Sequence, residues 1–241
     1  MTVSICLLYP ELLGTYGDGG NAVVLAQRVR WRGIDADIVE VTAGRPAPSS
    51  CDVYLMGGGE DGPQTLAVAE LNESRALHAA VDRGAAVLAV CAGFQLLGET
   101  FADGHGAPTP GLGLIDAVTS RGAGARRVGE IVVVPDPALG LPDLTGYENH
   151  QGVTRLGRDV RPLGRVTVGK GNDGGDGGEG AIAGRIVGTY LHGPALARNP
   201  ALADLILSWV AGPLAALDDG EADALRSERM SAAGGRRRGR A

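Results

Sequence analysis

The stretch Val87-Leu-Ala-Val-Cys91-Ala-Gly-Phe94 puts one cysteine where an apolar run stops against a turn of small residues, just before a helical pattern begins. This is the pattern of a nucleophile elbow: a buried strand ends in a tight turn that lifts the thiol out of the sheet, and Ala92 and Gly93 leave room for a substrate carbonyl to approach. The helix that follows starts beneath the sulfur, so its unpaired N–H groups and positive dipole end favour a thiolate. Alone, Val-Cys-Ala-Gly fits an inert, packed strand-end cysteine equally well.

Gly188-Thr-Tyr-Leu-His192-Gly-Pro194 shifts that balance. Here a second short strand ends on a histidine beside Gly and Pro, which places the imidazole at a loop mouth. A free thiol with a pKa of about 8.5 is only slightly ionised at neutral pH, and a neighbouring imidazole is the usual remedy. Cys91 and His192 are therefore a candidate catalytic pair.

With 241 residues, 44% of them hydrophobic, the chain can bury a sizeable core. No stretch approaches the ~20 apolar residues needed to span a bilayer, and Met1 to Leu13 lacks the basic start of a signal peptide, so a cytoplasmic protein is expected. Cys6, Cys51 and Cys91 have neither the number nor the spacing of a disulfide frame or a zinc site, and Cys6 and Cys51 read as core residues. A net charge of −6 and 4% aromatic residues give no footprint for nucleic acid, despite the basic run from Arg236 to Arg240.

Apolar runs alternate with helical patterns: strands over Val3 to Tyr9, Ala36 to Val41, Val53 to Met56 and Ala86 to Val90, and helices over Gly20 to Arg32, Gln64 to Arg83 and Phe94 to Phe101. That rhythm predicts an α/β fold with a mostly parallel sheet flanked by helices. After Leu112 the pieces are short and β-rich (Ile131 to Val134, Thr145 to Glu148, Val166 to Val168, Ile186 to Tyr190) and read as further strands and hairpins, with a closing helix over Pro200 to Val210. Gly171 to Gly180 has the acidic look of a calcium loop but not its spacing, and reads as a hairpin loop. Residues 1–212 form one domain on this reading. Residues 213–241, charged and poor in large apolar side chains, read as a flexible, disordered tail.

Met56-Gly57-Gly58-Gly59 follows a strand whose end shares the ligand-binding edge of a parallel sheet. Its glycines leave N–H groups unobstructed, which makes Gly59, and secondarily Gly58, candidate oxyanion donors together with the N–H of Ala92. A flexible turn needing positive φ fits the glycines as well.

In combination, Cys91-Ala-Gly-Phe-Gln95, the glycine loop and the late strand ending on His192 resemble the class I glutamine amidotransferase domain, which has a flavodoxin-like fold. Tyr147-Glu-Asn-His-Gln-Gly152 and Gly188 to Pro194 are similar to its cobyric-acid-synthase-like branch, whose usual members carry an ATP-using synthetase domain ahead of the glutaminase. This chain has no G-x-x-x-x-G-K-[ST] phosphate loop. With Tyr16-Gly-Asp-Gly-Gly-Asn21 it looks like the free-standing glutaminase subunits of lipid II isoglutaminyl synthases. That resemblance implies hydrolysis of L-glutamine through a Cys91 thioester, with His192 protonating the departing ammonia. It also implies a heterodimer with a Mur-ligase-like (MurT-type) synthetase subunit, which would hold ATP and magnesium and amidate the D-glutamate of the lipid II stem peptide, with no cofactor or metal on this chain. Gln95 and Arg126 match the positions that hold glutamine, with Arg127 as a competitor for a carboxylate-clasping cation.

One departure stands out. The class normally places a glutamate two residues after the catalytic histidine, where this chain has Pro194. Either His192 acts in a dyad or a carboxylate from elsewhere completes a triad, with Glu148 and Asp18 as unranked candidates. An unoriented base would leave the isolated chain a weak glutaminase. His150 reads as a pocket-wall residue, and His78 and His105 as having no role. A glutaminase serving a cobyric-acid-type synthetase, a thiol hydrolase or isomerase on this scaffold, and a non-catalytic binding module with a relic Cys91 remain alternative readings.

Overall fold

The computed structural model describes residues 1–172 and 175–238, with side chains to 234. In chain order the first half runs β1 (Thr2–Leu8), α1 (Gly20–Arg30), β2 (Asp35–Val41), β3 (Val53–Met56), α2 (Asp61–Ser74), α3 (Ala76–Asp82), β4 (Ala86–Val90), α4 (Ala92–Leu97), β5 (Thr100–Ala102), β6 (Pro108–Pro110) and β7 (Ala117–Arg121). The second half runs β8 (Arg127–Pro135), β9 (Leu144–His150), β10 (Gly152–Leu156), β11 (Gly164–Val168), β12 (Gly178–Glu179), β13 (Ala181–Ala183), β14 (Ile186–Thr189), α5 (Ala195–Arg198), α6 (Pro200–Ala211) and α7 (Gly220–Arg238).

The predicted parallel sheet forms in the order β13-β14-β4-β3-β1-β2, with β13 alone antiparallel. Every residue of β3 and β4 is buried, as apolar runs must be when helices cover both faces. Because β1 leads to β2 on one side and to β3 on the other, the chain reverses direction across the sheet at β1. That opens a crevice beyond the carboxyl ends of the strands. The loops after β1, β3, β4 and β14 all emerge at that edge.

Two smaller four-stranded sheets, β10-β7-β5-β6 and β12-β11-β8-β9, are the hairpin additions suggested by the β-rich second half. The second one is tied to the first domain layer by a bridge between Tyr147 and His192 (Tyr147 N–H to the His192 carbonyl, 3.2 Å; His192 N–H to the Tyr147 carbonyl, 3.0 Å). β11 and β12 pair antiparallel, and β12 lies within the Gly171 to Gly180 stretch, which therefore holds a strand as well as the connection before it; residues 173 and 174 lie outside the described residues.

Three expectations change. The helix read over Gln64 to Arg83 is two helices, α2 and α3, because Arg75 takes a left-handed conformation between them (φ 51°, ψ 13°). The elbow helix ends at Leu97, and Phe101 belongs to β5, where it is fully buried.

The third change concerns the stretch read as a flexible tail, which contains α7. The buried Arg28 guanidinium clasps Asp204 on α6 (2.7 Å at both ends) and Asp219 just before α7 (2.7 and 2.8 Å). Arg226 donates to the Asp143 carbonyl at 2.9 Å, and Ala233 is buried. The segment thus borrows partners from the domain that its own polar composition lacks; residues 239–241, with the end of the basic run, lie outside the described residues. Among the described residues no helix is long and apolar enough to cross a membrane.

Gly188 on β14 touches the ring of Phe94 on α4: a Cβ there would lie 2.1 Å from Cδ2. The Gly188→Ala variant is therefore expected to lose about 1–3 kcal/mol of stability through overpacking, measurable as a lowered urea midpoint.

Candidate active site

Cys91 follows β4 with φ 53° and ψ −105°, a strained conformation for a residue with a Cβ, and caps α4. The strain is held from both sides: the Cys91 N–H donates to the Thr189 carbonyl (2.8 Å), and its carbonyl accepts from Gln95 N–H (3.0 Å). Gly93 must be glycine, since its N–H bonds the Gly57 carbonyl (3.1 Å) and a Cβ would meet the Met56 side chain at 2.7 Å. The elbow read from the sequence is present, with the thiol aimed into the crevice beside the Asn149 carbonyl at 4.0 Å.

His192 follows β14 and is nearly enclosed. Its Nδ1 donates to Asp18, 3.2 Å from Oδ2 and 3.4 Å from Oδ1, and the Tyr16 ring lies 4.7 Å from the imidazole. That leaves Nε2, which has no other hydrogen-bond partner among the described residues, as the nitrogen turned to the Cys91 thiol. Burial by itself would lower the imidazole pKa, but hydrogen bonds and charge from Asp18 and Cys91 outweigh it and raise it to about 9.

Asp18 therefore occupies the orienting place that Pro194 leaves empty. Of the two carboxylates weighed, Glu148 is engaged elsewhere: its Oε2 accepts from Lys170 N–H (3.1 Å) and Gly171 N–H (3.0 Å) and lies 3.9 Å from His150 Nε2. The premise of an unoriented base falls with this contact. Asp18 comes from the loop after β1, far from His192 in sequence, so spacing alone could not rank it; its signal was the Tyr16-Gly-Asp-Gly-Gly-Asn21 stretch.

Gly58 is corrected as an oxyanion donor. Its N–H is consumed by Asp18 Oδ2 at 2.8 Å, and a Cβ there would sit 2.8 Å from His192 Cε1. It makes room for the imidazole and holds its carboxyl instead. Gly59 and Ala92 both line the cavity at the thiol, and Ala92, first in α4, has an N–H with no intrahelical acceptor.

That cavity, about 100 Å³, brings together Cys91, Gln95, Arg126 and His150. Arg126 stands at its mouth, with Nε donating to Asn149 Oδ1 (2.6 Å) and a terminal nitrogen to the Tyr16 hydroxyl (3.1 Å). Arg127 instead turns to the Gln151 and Gly152 carbonyls (3.3 and 3.2 Å), so of the two neighbours only Arg126 lines the cavity, which Arg121 also lines. Gln95 Nε2 donates to the Tyr190 hydroxyl (3.3 Å).

His150 stacks on Tyr190 (ring centroids 3.6 Å apart) and donates from Nδ1 to the Gly152 carbonyl (3.0 Å); burial lowers its pKa, so it is a neutral wall residue. Tyr16, Asn149 and Tyr190 were missed by sequence reasoning, because each acts by touching another site residue. His78 bonds the Leu112 carbonyl, and His105 sits in the turn between β5 and β6. Among the described residues no cluster of three or more His, Cys, Asp or Glu could hold a metal.

An elbow cysteine, a histidine seated on a carboxyl, and an arginine at the mouth, all at the carboxyl edge of a parallel sheet, define a glutamine amidotransferase domain. The chain belongs to the CobB/CobQ-like glutamine amidotransferase family, whose model matches residues 4–200. It is similar to the GatD subunit of lipid II isoglutaminyl synthase from Staphylococcus aureus, with 36% identity over 82% of this chain and 79% of that protein. It is also similar to GatD from Streptococcus pneumoniae (34% identity, 83% and 77%) and to cobyric acid synthase from Methylobacterium nodulans (36%, 65% and 32%). A solved glutamine amidotransferase shares the fold at 22% identity and a TM-score of 0.58, covering 86% of this chain and 98% of its own.

Two outcomes are expected. A glutamine-like electrophile should label Cys91 alone by peptide mass spectrometry, because burial first, and then their mutual contact, push the Cys6 thiol well above the ordinary range, and burial raises Cys51 too. Labelling spread over all three cysteines would contradict this. The second concerns pH. Since the His192 pKa lies above 6.5, the stability it contributes is complete below pH 6.5 and is lost as pH rises through about 9. In Asp18→Asn the alkaline limb of glutamine hydrolysis should move to lower pH, with kcat reduced by about 10²-fold, as read from a pH–rate profile.

Proposed function

We propose that Cys91 passes its thiol proton to His192 Nε2 and, as the thiolate, attacks the side-chain carboxamide carbon of L-glutamine on the way to a thioester. Attack pushes the carbonyl electrons onto oxygen, where the N–H groups of Gly59 and Ala92 would each stabilise the oxyanion by about 3 kcal/mol. The tetrahedral intermediate collapses as His192 Nε2–H protonates the departing nitrogen, which leaves as ammonia. Neutral His192 then takes a proton from water, whose oxygen attacks the thioester, releasing glutamate and restoring the thiol. Asp18 keeps Nδ1 protonated, so that Nε2 is the nitrogen that exchanges the proton.

Arg126 clasps the glutamine α-carboxylate, while Glu60, Asp61 and Asp103 around the same cavity offer the opposite charge to its α-ammonium. Gln95 lines the wall against which the substrate side chain lies. The observation that carries this reading is the Cys91–His192–Asp18 line, with Cys91 and Arg126 lining one cavity.

The ammonia serves a second subunit. Similarity to GatD along most of both chains supports a Mur-ligase-like, ATP- and magnesium-using partner of the MurT type, in a heterodimer acting in the cytoplasm. That partner amidates the D-glutamate of the lipid II stem peptide to D-isoglutamine, while the chain itself holds no metal or nucleotide.

The test is to purify the two subunits together and follow glutamine-dependent amidation of lipid II by mass spectrometry. Amidated product with the wild-type pair, and none with Cys91→Ser unless free ammonia is added, is the expected result. Glutamate release without amidated lipid II would leave the glutaminase and remove the cell-wall role, pointing to another synthetase such as a cobyric-acid type.

A further inference from the structure

Glu179 on β12 is the most deeply buried acid in the described structure, with no exposed surface. It came from a glycine-rich stretch read only as a hairpin loop, and the chemistry above makes no use of it. One of its oxygens, Oε1, accepts from the Tyr190 N–H at 2.6 Å and from the Thr189 hydroxyl at 2.9 Å. The same hydroxyl accepts from the Leu191 N–H at 3.0 Å. A single carboxyl oxygen thus fastens the three residues that lead into His192.

Tyr190, in turn, is the hub of the cavity wall. Its hydroxyl bonds Thr154 (2.7 Å) and receives Gln95 Nε2, and one face stacks on His150 while its ring meets Phe94 edge-on at 5.2 Å. Resting on the glutaminase reading of the site, we infer that Glu179 is a positioning residue for glutamine: it fixes the Tyr190 backbone so that the ring holds Gln95 and His150 in the cavity wall.

The environment suits a neutral carboxyl. Burial pushes Glu179 up to about 7 against the pull of the Tyr190 and Thr189 donors, and the charge of Glu148 adds to the rise. Its Oε2 has no hydrogen-bond partner among the described residues, so the anion would be uncompensated there. Glutamine at this position keeps an oxygen for both donors without the charge.

The experiment compares wild type, Glu179→Gln, Glu179→Ala and Tyr190→Phe in the full chain. It measures KM for glutamine by glutamate release, and the rate of Cys91 alkylation by iodoacetamide, a reagent too small to need the Gln95 wall. Loss of one hydrogen-bonded anchor should raise KM about tenfold in Glu179→Ala and in Tyr190→Phe. Iodoacetamide labelling should stay close to wild type in both, and Glu179→Gln should restore a wild-type KM. A KM unchanged in both variants, labelling that falls in step with glutamine turnover, or a Glu179→Gln defect as large as that of alanine would overturn the role. If Glu179→Ala does not fold, Thr189→Val, which removes one of the two donors to the same Glu179 oxygen, replaces it: a raised KM with unchanged iodoacetamide labelling is expected, and an unchanged KM overturns the role. Glutamine hydrolysis surviving in Cys91→Ala would instead sink the reading of the site, so the two failures are distinguishable.

Discussion

The hydrogen bond from His192 to Asp18 is the constraint around which the rest of the site is arranged. It joins the loop after β1 to the strand end after β14, and its acceptor oxygen is held in turn by Gly58, after β3. Cys91, after β4, completes the set, so four separate strand ends meet at one edge of the sheet. Packing of β1, β3, β4 and β14 as neighbours is what brings these groups together, and the buried apolar residues of those strands supply the rigidity.

Electrostatics at this edge follow from the same arrangement. A buried imidazole without partners would be driven toward its neutral form, yet contact with a carboxyl and a thiol holds His192 on the protonated side of neutrality. His150, an equally buried imidazole on β9, is held low because burial outweighs its contacts with Glu148 and Gly152. The two histidines are thus shifted in opposite directions, and the difference lies in their partners.

The second layer is as informative as the first. Arg126 is presented by Asn149 and Tyr16, Gln95 by Tyr190, and Tyr190 by Glu179, so that each group facing the cavity is backed by another that does not. Even the C-terminal segment is recruited by partners remote in sequence, through the pairing of Arg28 with Asp219. The mostly polar chain past Gly212 buries little apolar surface, chiefly at Leu214 and Ala233, and is tied to the domain by a guanidinium and a carbonyl.

Local sequence determined the strand-and-helix alternation, the elbow at Cys91, the strand end at His192 and the glycine loop between β3 and α2, because each is set by short-range periodicity and by residues whose backbone freedom is distinctive. Tertiary structure alone decided that Asp18 and not Glu148 meets His192, that Arg126 and not Arg127 faces the cavity, that the Gly58 N–H is already engaged, and that Arg75 breaks one helix into two. The physical reason is common to the first three. A hydrogen bond between groups distant along the chain depends on which strands lie side by side and which way each loop turns, and neither residue type nor spacing carries that information.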